Sequence, residues 1–160
     1  MSFIFFQTAL KFQSRIFFLT NIHFSAYNIT MWDVDSSKEY DAWFVALDEE
    51  CKEAVLERVL LLREFGPNLP RPYTDVLHGS KKYKNLKELR NQTQKHVLRV
   101  SYYFDTERKA FLLTGGDKKG KDQDKFYKDL LAESVTIIER HEKELTHERR
   151  NKKDGKQNVR

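Results

Sequence analysis

The chain has 160 residues and a formal net charge of +5, with 39% hydrophobic and 33% charged residues, the balance of one ordinary globular domain able to bury its own core. With a single cysteine, Cys51, neither a disulfide framework nor a cysteine-based zinc site is expected. With no partner motif beside it, Cys51 reads as a helix residue, and a reducing cytoplasm fits. The positive balance points to an anionic partner such as nucleic acid.

Residues 1–30 hold seven of the twelve Phe and no acidic residue. No apolar run among them is longer than that from Ile16 to Leu19, far too short to cross a bilayer. Lys11 and Arg15 interrupt the stretch, and no small-residue cleavage site follows an apolar core, which speaks against a signal peptide. Composition changes at Met31, so residues 1–30 are expected to be an extension outside the domain. The alternative is an extra strand or helix that covers an apolar edge.

From Met31 to Asp35, Trp32 and Val34 alternate onto one face, which predicts a first strand. Ser36 stands three residues before Glu39 in a capping-box arrangement and opens a helix carrying Tyr40, Trp43, Phe44 and Leu47. Asp48 caps a second helix whose Ala54, Leu56, Val59, Leu60, Leu62 and Phe65 follow helical spacing, and Gly66 ends it. That helix is acidic, with Asp48, Glu49, Glu50, Glu53, Glu57 and Glu64 against three basic residues, so the helical hairpin reads as scaffold. Pro67, Pro70 and Pro72 then break any helix, and the state of Tyr73 to Ser80 stays open.

Three strands follow, Asn85 to Arg90, His96 to Phe104 and Lys109 to Thr114. Their polar links have hairpin length, which predicts an antiparallel meander. In the middle strand Leu98, Val100, Tyr102 and Phe104 form one row, and Val97, Arg99, Ser101 and Tyr103 the other. Arg99 therefore stands among apolar residues and needs either a carboxylate or a wet groove. Glu88 and Arg90 share a face of the neighbouring strand, so a cross-strand pair between Arg99 and Glu88 and an open phosphate site are both consistent with the spacing. Between His78 and Ser101, seven basic residues (Lys81, Lys82, Lys84, Lys87, Arg90, Lys95, Arg99) face one acidic residue, Glu88. Together with Tyr83 and Tyr103 this basic stretch reads as an RNA-phosphate surface. A last helix starts at Asp122 or Asp124 with an apolar stripe from Phe126 and Tyr127 to Leu145. The basic run from Thr146 onward, residues 146–160, is expected to be a disordered tail.

The order of strand, two helices, three-stranded meander and terminal helix resembles that of the RelE/ParE toxin superfamily. Met31-Trp32-Asp33-Val34, Leu86 to Arg90, Leu98 to Asp105, Leu112 to Lys118 and Phe126-Tyr127 resemble its phage-derived, HigB-like branch. The likeness covers residues 31–145. It implies an α+β fold, in which a small antiparallel β-sheet packs against an N-terminal helical hairpin and a C-terminal helix. It also implies the toxin of a type II toxin–antitoxin pair, a cytoplasmic endoribonuclease that cuts mRNA on the ribosome and inhibits translation. A cognate helix-turn-helix antitoxin of HigA type would neutralise it. Neither metal nor cofactor, nor any membrane, enters that picture.

Carried over by position, Arg99 matches the arginine set against the scissile phosphate, and Arg90 the one closing the preceding strand. Lys118 and Lys119 match basic residues after the last strand, and Tyr127 the tyrosine of the final helix. Lys81, Lys82, Lys84, Lys87 and Lys121 would bind RNA. Some family ribonucleases carry lysines where this chain has Leu86 and Glu88, so the general base stays open. His78, in a loop beside the lysines, is a candidate for acid–base work; His96 falls in register with the apolar row, which fits a structural role better. Glu88 also keeps open a second reading, a ParE-like inhibitor of DNA gyrase without chemistry; a third is an inactive homologue that only binds its antitoxin.

Overall fold

The structure, a computed structural model, describes residues 31–157, with side chains to residue 152. The expected extension at residues 1–30 lies outside the described residues. The elements are β1 (Val34–Ser36), α1 (Lys38–Val45), α2 (Glu49–Phe65), a 3-10 turn (Gly66–Asn68), β2 (Thr74–Val76), β3 (Lys87–Gln92), β4 (Val97–Phe104), β5 (Ala110–Asp117) and α3 (Gln123–Gln157).

The expected α+β architecture is present. β3, β4 and β5 form the antiparallel meander. The sheet is larger and less uniform than the sequence suggested, with strand order β1-β5-β4-β3-β2. β2 emerges from the segment whose state was open and pairs antiparallel with β3, whereas β1 pairs parallel with β5, so the sheet is mixed. A parallel partner is possible for β1 because α1, α2 and the rest of the sheet separate it from β5 in sequence, long enough for a crossover.

The helices form where the caps direct them. Ser37, not Ser36, is the N-cap of α1: its hydroxyl accepts from the Tyr40 amide at 3.0 Å and donates to the Leu113 carbonyl of β5. Ser36 Oγ instead donates to Asp41. The difference follows from β1, whose pairing with β5 runs through Ser36 and delays the helix by one residue. Asp48 caps α2 through the Cys51 amide at 2.8 Å, and Asp122 accepts from the Lys125 amide at 2.7 Å at the start of α3. The segment from Thr146, expected to be a disordered tail, continues α3 to Gln157. Its Glu, Arg and Lys residues are good helix formers, and Arg149 holds it to the β4–β5 turn through Thr106 at 2.9 Å and Glu107 at 3.9 Å.

Each face of the sheet has its own core. The α1–α2 hairpin covers the face bearing Leu89, Leu98, Val100, Tyr102, Ala110 and Leu112, with Tyr40, Val55, Val59 and Leu62 packed on them. α3 covers the other face, where Phe126, Leu130, Ile137 and Ile138 meet Leu86, Tyr103, Phe111 and Leu113. Burying one such side chain stabilises the fold by about 1.5–3 kcal/mol. β5 serves both cores by simple alternation, Ala110 and Leu112 on one face and Phe111 and Leu113 on the other, and a bulge between Ser101 and Tyr102 shifts its register with β4. The Glu39–Arg140 pair, at 2.9 and 2.6 Å, joins α1 to α3.

Gly115 and Gly116 let an aromatic ring approach from each side. A methyl group on Gly115 would lie 2.5 Å from the Trp43 ring carbons, and one on Gly116 would lie 3.0 Å from Phe126. Gly115→Ala should therefore lower stability by roughly 1–3 kcal/mol through overpacking. Urea denaturation followed by Trp fluorescence would read it, and an unchanged midpoint would show that Trp43 is not seated on the sheet.

Candidate functional site

The alternation of β3 and β4 puts Glu88, Arg90 and Arg99 on the α3 face, and the first turns of α3 lower Tyr127 onto them. Arg99 pairs with Arg90 across the two strands, so two cations stand side by side and require a carboxylate between them. Glu88 supplies it. Its Oε1 lies 3.4 Å from Arg99 Nε and 3.8 Å from Arg90 Nε. Tyr127 closes the triangle through two long hydrogen bonds, accepting from Arg99 Nε at 3.4 Å and donating to Glu88 Oε1 at 3.3 Å. Arg99 Nη1 also donates to the Leu98 carbonyl at 2.8 Å.

Exposure divides the cluster. The side chains of Arg99 and Glu88 are 5% and 6% exposed, whereas that of Arg90 is 36% exposed. Arg90 also reaches Asp75 on β2 at 3.5 Å, and Lys118 lies over the Tyr127 ring at 5.5 Å. Glu88 Oε2 is buried with no hydrogen-bond partner. Burial pushes the Glu88 carboxyl above its ordinary value of 4.5, and attraction to Arg99 and then Arg90 offsets only part of that rise. Asp75 moves the other way: burial would raise it, but the Val76 amide, Arg71 and Arg90 together hold it below the usual carboxylate value. Two neighbouring carboxylates thus differ in proton affinity because one is buried with an unpartnered oxygen and the other is hydrogen-bonded near the surface.

The sequence-predicted residues separate into those inside this cluster and those outside. Arg99, Arg90, Tyr127 and Lys118 come together. Lys121 lies beside them over the Phe126 ring at 5.7 Å. Lys119 turns toward the β3–β4 loop and donates to the Gln94 carbonyl at 3.2 Å. Lys87 sits one residue before Glu88 and so projects to the opposite face, where it donates to the Pro67 carbonyl at 3.3 Å. Lys82 pairs with Glu139 of α3 at 3.2 Å and lies over the Tyr83 ring. Lys81, Lys84 and His78 are exposed in the segment between β2 and β3. Among the described residues, no hydrogen bond or ion pair links His78 to the cluster. His96, expected to play a structural role, is partly exposed and bonded to Asp117 at 2.6 Å. Glu88, expected only as a pairing partner of Arg99, is itself part of the cluster. Its signal was its place two residues before Arg90 on the same strand face.

The raised Glu88 value carries a pH signature. The folded state holds the Glu88 proton more tightly than the unfolded state, so the stability tied to that proton is complete below pH 4.5 and is lost as pH rises through the higher folded value. Glu88→Gln has no such proton. Melting curves across the acidic range should show the parent losing stability relative to Glu88→Gln as pH rises above 4.5. Parallel profiles would mean that the two arginines cancel the effect of burial.

A family model described as "Phage derived protein Gp49-like (DUF891)" matches residues 42–149. Two curated proteins of Mycobacterium tuberculosis are similar. "Putative toxin HigB2" is 37% identical over 91 residues, which are 56% of this chain and 44% of that protein. "Putative toxin HigB3" is 38% identical over 82 residues, which are 51% of this chain and 69% of that protein. The match thus spans less than half the length of the first relative and about two thirds of the second. Among solved structures, the free state of a doubly substituted E. coli toxin RelE overlays with a TM-score of 0.47 at 12% identity, over 68% of this chain and 98% of that one. That overlay adds no weight to the assignment, which rests on the family match and the two relatives. By the extent of that match, and with HigB-named proteins as its relatives, the chain belongs to the phage-derived Gp49-like family.

Proposed function

We propose that the protein is the toxin of a toxin–antitoxin pair and a metal-independent ribonuclease acting on ribosome-bound mRNA. The toxin class is supported by the family match and by the names of the two relatives. The chemistry is supported by one observation: a buried carboxylate with a free oxygen, set between two arginines and a tyrosine.

In this reading the ribose 2′-hydroxyl attacks the neighbouring phosphorus and expels the 5′ oxygen, which takes a proton from water. Glu88 takes the hydroxyl proton, and burial raises its proton affinity above that of an ordinary carboxylate, the direction a general base needs. Arg99 and Arg90 stabilise the charge that accumulates on the phosphate oxygens, and Lys118 extends that field to the surface. Arg99 lies beneath Tyr127, so the phosphate meets Arg90 and Lys118 first and reaches Arg99 on displacement of the ring. The antitoxin, expected to carry a helix-turn-helix domain, should restore growth when co-expressed.

The burial of both Arg99 and Glu88 favours a second reading, in which they form a structural pair and the toxin acts by binding alone, as a gyrase inhibitor would. A third is an inactive homologue that only binds its antitoxin. A pulse of expression followed by primer extension on cellular mRNA separates them. The ribonuclease leaves discrete cuts; a growth block without cuts supports the binding toxin. Neither cuts nor a growth block supports the inactive homologue.

Arg99→Ala should lower cleavage about 10²–10³-fold, the usual effect of removing one preorganised donor. Arg99→Lys should rescue poorly, because an ammonium lacks the planar two-pronged fork. Glu88→Gln should lower cleavage about 10²–10⁴-fold while the protein stays folded. Cleavage at the parental rate in Glu88→Gln would exclude Glu88 as the base. Loss of activity that tracks a large fall in melting temperature would assign the pair to the fold instead, since breaking a buried pair costs about 3–5 kcal/mol.

A further inference from the structure

Away from the arginine cluster, the start of α2 meets the end of the β3–β4 turn. Asp48, Cys51 and His96 offer one carboxylate oxygen, one thiol sulfur and one imidazole nitrogen, all within 4.8 Å of one another. Asp48 and Cys51 are three residues apart across the first turn of α2 and so share a side of it. The hydrogen bonds already made by their neighbours decide which atoms remain available. Asp48 uses Oδ1 on the Cys51 amide at 2.8 Å, and its Oδ2 faces His96 Nε2 at 3.8 Å. His96 uses Nδ1 on Asp117 Oδ2 at 2.6 Å. Asp117 uses its other oxygen on the amides of Val97 and Lys119, both at 2.9 Å. Asp117 is therefore committed to fixing the imidazole and is not itself a ligand, the outer-shell carboxylate role found beside metal-bound histidines.

We propose that Asp48 Oδ2, Cys51 Sγ and His96 Nε2 bind one zinc ion, with water in the fourth position and Asp117 orienting His96. Thiolate and imidazole together select a borderline-soft ion and disfavour magnesium and calcium. Metal–ligand bonds of 2.0–2.3 Å in a tetrahedron put the ligand atoms roughly 3.2–3.8 Å apart. The His96–Asp48 separation already falls at that limit. The remaining closure of about 1 Å falls to Asp48, whose side chain is 58% exposed, while Cys51 is buried. On binding, the Cys51 thiol gives its proton to solvent and the thiolate takes the metal. The ion would pin the β3–β4 turn to the N-terminus of α2, and it takes no part in RNA cleavage. The competing arrangement is the His96 ring held between Asp117 and Asp48 with no metal.

The test uses the full chain, reduced, stripped with chelator and titrated with zinc alone, then with cobalt. One zinc per chain, a rise in melting temperature of several degrees and a thiolate-to-cobalt charge-transfer band are expected. The band should vanish in Cys51→Ser, and zinc binding should be lost in His96→Gln. Asp117→Asn should weaken binding about 10–100-fold, and His78→Gln should leave it unchanged. Because Cys51 is buried and its variant could unfold, the partly exposed His96 keeps the test decisive. Absence of stoichiometric binding in the parent, or binding that survives in folded His96→Gln, overturns the proposal.

Discussion

A guanidinium and a carboxylate share the α3 face of β3 and β4, and each is tolerable there because of the other. Taking either charge out of water alone costs several kcal/mol, and mutual attraction repays this only with good geometry. Here the geometry is mediocre. The Arg99–Glu88 contact is 3.4 Å long and one Glu88 oxygen has no partner. A pair selected for stability alone would be better satisfied, or replaced by apolar residues. An unsatisfied buried carboxylate beside surplus positive charge is the kind of local strain that concentrates where chemistry is done.

The rest of the fold supports that placement. The sheet carries a complete apolar core on its α1–α2 face, so the α3 face can accommodate a polar patch at one end. There the apolar stripe of α3 begins with Phe126, which packs against Gly116, while its neighbour Tyr127 reaches the ion pair. Farther along α3 the contacts become ordinary packing: Ser134 bonds Ser101 at 2.7 Å, and His141 stacks on Phe111 at 3.7 Å. The polar cluster lies near the first turns of the helix, where Lys118, Lys121 and Arg90 keep the surface positive. The opposite edge is different, since the exposed side of α2 is acidic, and a polyanion would approach from the α3 side.

Several features were legible in the residues themselves. Side chains in a strand must alternate, so the separation of Leu98, Val100 and Tyr102 from Arg99, Ser101 and Tyr103 followed from covalent geometry. So did the shared face of Glu88 and Arg90. Asp48 and Gly66 marked the limits of α2 because capping depends on residues within one turn. The same locality explains the misses. Ser36 and Ser37 are equivalent as caps until the pairing of β1 with β5 draws Ser36 into the strand. The helix through Thr146 looked polar and uncommitted until the β4–β5 turn supplied partners for Arg149.

What the sequence by itself determined is therefore every main element except β2, the two faces of each strand and the concentration of positive charge around β3. Only the tertiary structure decided which helix covers which face. That choice buried Arg99 under Tyr127 and left His78 outside the cluster. It also brought Cys51 and His96 together although no spacing motif connects them. The physical reason is the same in each case: alternation and capping act over a few bonds, whereas ion pairing, desolvation and ligand geometry depend on distances that packing alone sets.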